Sequence, residues 1–338
     1  MTQSVLTLSE PGRPQDPGCN RAYLPRHNFV IAADATGKER GTATAGRPAP
    51  ELSQARKVTE MLSGRAIFQE ILGDDQAFRL FCSIAASGEA QGGWENGRIA
   101  ALVPGSLEEL APKITRHGAD EDKHGRIFNA LLRKRDLEPV AVPASMDYTM
   151  RLEKAGIGLA HSKLSGGEEL TETDIVTYLA HSRVTEQRAS EQMQALRTYV
   201  GDRPDIGRAV AMISGDEDNH LAYCHEELLR LAAAGHAEFI RRTLREAALA
   251  EIAIHRDVSK AVMARMGAML GWSRPKSALL AAGIQAVWVY ERLGGWRRMV
   301  SLRMPARRNA LGGQAPAQRV GSAGRLVAGR SGRRTNDN

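Results

Sequence analysis

One acidic five-residue pattern is written twice in this chain, as Asp120-Glu121-Asp122-Lys123-His124 and as Asp216-Glu217-Asp218-Asn219-His220. In each copy a glutamate precedes a histidine by three residues, and on an α-helix positions i and i+3 share a face. Each segment, read as helix, aims one carboxylate and one imidazole at a common point. Two such points facing each other would make a two-metal site, in a fold that brings two helices together there.

The composition agrees with helices. Of 338 residues, 42% are hydrophobic and only 5% aromatic, and the apolar set leans on Ala, Leu, Val and Met, which favour helix. The length admits one large domain with extensions or two smaller ones. The net charge of +7 hides an asymmetry: residues 60–235 carry 19 Lys/Arg against 28 Asp/Glu, and residues 236–338 carry 19 against 6. Both copies of the pattern lie in the acidic block.

Three cysteines, Cys19, Cys82 and Cys224, have neither metal-ligand nor disulfide spacing, and no secretory apolar region or twin-arginine start follows Met1. A reducing cytoplasm is the expected compartment. The longest apolar run, 278–290, is broken by Gln285 and bounded by Lys276 and Glu291, too short to span a bilayer. A soluble protein is expected.

Turn signals divide the chain. Residues 1–55 hold Pro-Gly clusters without sustained periodicity and read as a flexible arm, and residues 306–338, rich in Arg and Gly, as a basic disordered tail. A first long helix is expected over 76–102, stopped by Pro104-Gly105, with Ser106 capping a second over 106–135. A connector of about 35 residues with Pro139, Pro143, Gly156, Gly158 and Gly166-Gly167 follows. A third helix is expected over 171–200 and, after Gly201-Asp202-Arg203-Pro204, a fourth to about 234. Two further helices, 237–270 and 276–293, form a C-terminal extension over 236–305, with Met263, Met266 and Met269 packing on the bundle.

Mirroring each acidic pattern through its own turn finds its partners. About Gly105, the level of Glu121 and His124 reflects to residues 87–89, where Glu89 stands; about Asp202, Glu217 and His220 reflect to 185–187, where Glu186 stands. Glu89 to Glu186 spans 97 residues, and Glu121 to Glu217 and His124 to His220 span 96 each, the near-equality expected of a duplicated helical hairpin. Glu95 and Glu191 are rotated off these faces.

Over about residues 75–235 this set resembles the ferritin-like di-iron or di-manganese carboxylate superfamily, whose bundle draws one Glu from each of two helices and a Glu-x-x-His from each of the others. The resemblance implies an all-α ferritin-like four-helix bundle over 56–235, with a long crossover between the second and third helices. It implies metal ligation by Glu89, Glu121, His124, Glu186, Glu217 and His220, with Glu121 and Glu217 bridging. Similar Asp-Glu-x-x-His members place the Asp against the ligand His of the partner helix, the role implied for Asp120 and Asp216. Four carboxylates and two neutral imidazoles match the charge of two divalent cations, and the oxygen and nitrogen donors suit iron or manganese. Iron is the family's common choice.

The implied activity is oxidation of a small organic substrate by O₂, through hydroxylation, desaturation, N-oxygenation or oxidative cleavage. Electrons would come from a separate reductase, since no flavin or nicotinamide motif is present. Ferritin-, rubrerythrin- or manganese-catalase-like handling of iron or peroxide is the first alternative, although no rubredoxin-type Cys-x-x-Cys pair occurs. A non-enzymatic helical binding protein is the second.

Around the site, Gly88-Glu89-Ala90-Gln91-Gly92-Gly93 is glycine-dense for a helix, which serves either a cavity or close helix packing. Phe81, Phe128, Tyr178 and Cys224 fall on the ligand faces as simple core or as candidate walls, and Tyr178 or Tyr223 is a packed tyrosine or a candidate redox phenol. His161, His181, His225 and His255 lack ligand spacing and read as structural. The basic C-terminal third has no nucleic-acid signature; its Trp288-Val289-Tyr290 and Trp296-Arg297-Arg298 segments are candidates for a homodimer or peripheral membrane contact.

Overall fold

The helices begin where side chains can take up their first amides. The computed structural model describes residues 61–200 and 203–302; the expected arm (1–55) and tail (306–338) lie outside them. Ser63 caps α1 (Gly64–Gly73) by accepting the Ala66 amide, and Asp74 caps α2 (Asp75–Ala101) through the Ala77 amide. Ser106 does not cap as expected. It lies in a tight turn, Gly105–Leu110, that buries Leu107 and Leu110, and its hydroxyl donates to Glu172 instead. α3 (Ala111–Arg133) therefore starts later, with Pro112 in the first turn, where its missing N–H is harmless.

The connector holds two short helices, α4 (Tyr148–Lys154), capped by Asp147, and α5 (His161–Gly166). Thr171 and Asp174 form a reciprocal capping box that starts α6 (Glu172–Tyr199). α7 (Pro204–Leu231) leads through a wide turn, Ala232–His236, in which Gly235 adopts φ 111°, a conformation that favours glycine. α8 (Ala237–Met269), α9 (Arg274–Tyr290) and α10 (Arg297–Val300) follow. Among the described residues there is no strand, and no helix is long and apolar enough to cross a membrane.

Side-chain pairings give the directions. Gly93 meets Gly118 while Ala86 meets Gly125, so α2 and α3 are antiparallel. Tyr178 meets Tyr223 and Ser190 meets Asp218, so α6 and α7 are antiparallel. Lys113 pairs with Glu227 and His124 with Asp216, so α3 and α7 are antiparallel as well. α3 and α6 therefore run parallel, and the connector must return along the bundle. It does so beside α2: the Val140 amide donates to Ser83, and the Leu170 amide to the Leu102 carbonyl. Those anchors are 19 helical residues apart, roughly 28 Å at 1.5 Å each.

α8 lies along α6, where Arg188 bonds Glu251, and its far end buries Met263 and Met266 with Ile67 and Ile71 of α1 and Leu280 and Ile284 of α9. Met299 of α10 is fully buried against α6 and α8. The segment 296–298, a candidate contact surface in the sequence, is largely committed inward: Trp296 packs on the core, and Arg298 pairs with Glu191 and Glu291. Val289, Tyr290 and Leu293 remain exposed.

Candidate metal centre

The four long helices converge at mid-height. α2 contributes Glu89, α3 Glu121 and His124, α6 Glu186, and α7 Glu217 and His220, and all but the half-buried Glu89 are buried. The donors form two groups whose ligand atoms lie within 4.8 Å of one another: Glu89, Glu121, His124 and Glu217, and His117, Glu121, Glu186 and His220. Glu121 belongs to both. Glu217 also lies between the imidazoles, 3.5 Å from His124 Nδ1 and 3.9 Å from His220 Nδ1. The six residues mirrored out of the sequence are thus brought together, with Glu89 and Glu186 in different groups.

His124 Nδ1, His220 Nδ1 and Glu217 Oε2 are buried without a hydrogen-bond partner. Buried polar atoms are ordinarily satisfied, and three orphaned lone-pair donors in one cluster are what a cation would satisfy. The donor set fits a pair of metal ions.

The aspartates cross between the two copies. Asp216 Oδ2 lies 3.0 Å from His124 Nε2, and Asp120 Oδ2 lies 3.5 Å from His220 Nε2. With Nε2 facing an aspartate, each ring turns Nδ1 to the cluster. Lys123 Nζ joins the aspartates at 2.6 Å from Asp120 and 2.7 Å from Asp216. Burial works against both charges, but the Lys123 hydrogen bond outweighs it and holds both carboxyls below their usual range.

His117 escaped the sequence reading. It precedes Glu121 by four residues, hence on the same face, and its Nε2 lies 3.0 Å from Glu121 and 3.3 Å from Glu186. That spacing was the available signal; the duplication concealed it, because the position 96 residues later is Ile213. His117 Nδ1 lies 2.7 Å from Tyr223 Oη, Tyr223 Oη 2.7 Å from Tyr178 Oη, and Tyr178 donates to Asn96 Oδ1 at 2.7 Å. Because Asn96 Oδ1 only accepts, Tyr178 spends its proton there and accepts from Tyr223, which in turn accepts from His117 Nδ1–H. The neutral ring then presents the Nε2 lone pair to the cluster.

Protons keep the cluster tolerable without metal. Burial, then Glu121, pushes Glu89 well above the usual carboxylate range, and burial with Glu186 does the same to Glu217. Burial also opposes charge on Glu121 and Glu186, but His117 and Glu89 beside the first, and Glu217, His117 and the nearby His220 ring beside the second, outweigh it and hold both low. For His117 burial is likewise outweighed, by Glu121 and Glu186, so its pKa is raised; for His220, Glu186 and Glu217 push the pKa up to about 11. Two divalent cations would balance the same site with all four carboxylates ionised.

A cavity of about 310 Å³ adjoins the cluster and reaches Glu89, Glu121, Glu186 and Glu217. Phe81, Phe128 and Tyr178 line it, whereas Cys224 is buried in the apolar core. The α2 glycines divide between the two anticipated purposes. Gly88 and Gly92 line the cavity, while a Cβ on Gly93 would stand 2.4 Å from Asp122 Oδ1 and 3.2 Å from the Gly118 carbonyl, so Gly93 serves close packing of α2 on α3. His161 bonds Glu95, and His255 lies 3.3 Å from Gln192.

Comparison of the chain with protein-family models, with curated proteins and with solved structures finds no match. The fold and the site define an all-α protein with a buried His/Glu cluster able to bind metal and compatible with a di-iron centre.

Proposed function

We propose that this chain is a ferritin-like non-haem di-iron enzyme that uses O₂ to oxidise an organic substrate. The carrying observation is the pair of donor groups that share Glu121 and open on a cavity. Glu89 and His124 would serve one metal ion, and Glu186 and His220 the other, with Glu121 and Glu217 between them. His117 adds a second imidazole on the Glu186 side, so one ion receives two nitrogen donors and the other one. When bound, an iron pair supplies the redox chemistry that links an external reductase, O₂ and substrate.

The chain's own residues do the rest. Asp216 orients His124 through a hydrogen bond, Asp120 stands 3.5 Å behind His220, and the Asn96–Tyr178–Tyr223 chain orients His117. Burial of most of the cluster among the four helices lowers the local dielectric, which strengthens the electrostatic contacts inside. The neighbouring cavity supports an organic substrate over iron storage, and hydroxylation, desaturation, N-oxygenation and oxidative cleavage are all chemistries of this class. Manganese suits the same donors.

Metal analysis with oxygen uptake tests the reading. The expected result is about two iron ions per chain, reductant-dependent O₂ consumption, and loss of both in Glu121→Ala. A chain that binds no iron or manganese, and loses nothing on that substitution, overturns it. Rapid peroxide dismutation without reductant would assign the site to peroxide handling instead.

A further inference from the structure

The charges around the cavity are already spent. Arg188, the one guanidinium on its wall among the described residues, is buried and donates to Glu251 at 2.8 and 2.7 Å and to Glu291 at 2.8 and 3.1 Å. Glu251 is further tied by the Tyr148 hydroxyl, and Glu291 by Arg298. A buried ion pair so saturated offers no free cation to a ligand, and breaking it would strand a charge in the interior.

The other ionisable wall groups are committed too. Glu95 pairs with His161 Nε2 at 2.7 Å, and Asp147 caps α4 through the Met150 amide. Burial keeps His181 below its usual pKa, and burial with Arg188 depresses His255 to about 4, so both rings are neutral at pH 7. The remaining walls are mainly apolar: Phe81, Ile84, Met193, Leu196 and, from α8, Val258 and Val262. Among the described residues, only the His/Glu cluster at one side carries charge that a ligand could meet.

We propose that the substrate group held in this cavity is uncharged and predominantly apolar, an alkyl or aryl moiety rather than an amino acid, carboxylate or amine. At roughly 30 Å³ per water-sized group, the space accepts about ten or more non-hydrogen atoms. The proposal rests on the dimetal reading only for the end of the cavity at which oxidation takes place. The charge pattern that selects a neutral occupant exists without metal.

Two matched trios probe it by calorimetry at pH 7: 1-decanol, decanoate and decylamine, and naphthalenemethanol, naphthoate and naphthylmethylamine. Alcohol and carboxylate are compared in the metal-free protein, where no metal ion can capture the carboxylate and the His117 ring on the cavity wall is already paired with Glu121 and Glu186. Alcohol and amine are compared in the zinc-loaded protein, where metal occupies the glutamates. A carboxylate of ordinary pKa near 4.3 must surrender its charge to enter, about 2.7 pH units of work, so at least one alcohol should bind a hundredfold or more tighter than its carboxylate. Gly88→Leu places a side chain in the cavity and should abolish alcohol binding while metal stoichiometry stays at the wild-type value; should that variant lose metal, Val262→Phe on α8 serves instead.

Binding of either carboxylate as tightly as its alcohol, binding of neither alcohol, or alcohol binding that survives both filled-cavity variants overturns the proposal. A protein that binds no metal but selects the alcohols overturns the di-iron reading alone. One that binds metal but selects the carboxylates overturns this inference alone.

Discussion

Asp216 on α7 lies 3.0 Å from Nε2 of His124 on α3, so each acidic pattern completes the other rather than itself. The reciprocal pair, Asp120 and His220, is longer at 3.5 Å. A carboxylate behind a ligand imidazole fixes its tautomer and raises its basicity, and removing one typically weakens metal affinity about 10–100-fold. Asp216→Asn should therefore lower affinity at the His124 position by that order, and Asp120→Asn should do less, measured by competition against a metal chelator. Equal effects would show that the difference in distance has no energetic meaning.

Tyr223→Phe removes the acceptor for His117 Nδ1–H and leaves that nitrogen unsatisfied in a buried site. The expected outcome is about tenfold weaker binding of one of the two metal ions, with the other unchanged, seen as a split in a two-site titration. A uniform loss of both would point to general disruption of the bundle.

Metal loading should expel protons. Glu89, Glu217, His117 and His220 all have raised pKa values in the metal-free fold and so hold protons that a cation displaces, up to one from each. The sign follows: affinity strengthens as pH rises and weakens as pH falls towards 6, because protons compete for the same atoms. Calorimetry in two buffers of different ionisation enthalpy counts the protons, and a count of zero would contradict the protonation pattern.

Gly93 and Gly97 on α2 should respond oppositely to alanine. A Cβ at Gly93 would meet Asp122 at 2.4 Å and the Gly118 carbonyl at 3.2 Å, whereas nothing lies within 4 Å of one at Gly97. Overpacking predicts that Gly93→Ala destabilises by about 1–3 kcal/mol. Relief of helix entropy predicts that Gly97→Ala stabilises by about 0.5–1 kcal/mol. Thermal or denaturant unfolding compares them directly.

Much of the site was legible because helix periodicity and an antiparallel hairpin are both local rules. They place Glu89 level with Glu121, and Glu186 level with Glu217, from turn positions alone, and the boundaries expected for the third helix, 171–200, differ by one residue at each end from Glu172–Tyr199. Ser106 misled because its cap competed with a buried turn that the apolar Leu107 and Leu110 stabilise. His117 stayed hidden because a search for what is duplicated passes over what is not.

By itself the sequence determined the four long helices, their pairing into two hairpins and the level at which six of the clustered side chains stand, since these follow from spacing along the chain. The tertiary structure decided what no spacing records: that the two aspartates cross to each other's imidazole, that His117 joins through a phenol chain ending at Asn96, and that Arg188 is neutralised by glutamates 63 and 103 residues away. Those relations join residues on different helices, and only packing brings such partners within the few ångströms over which a hydrogen bond forms.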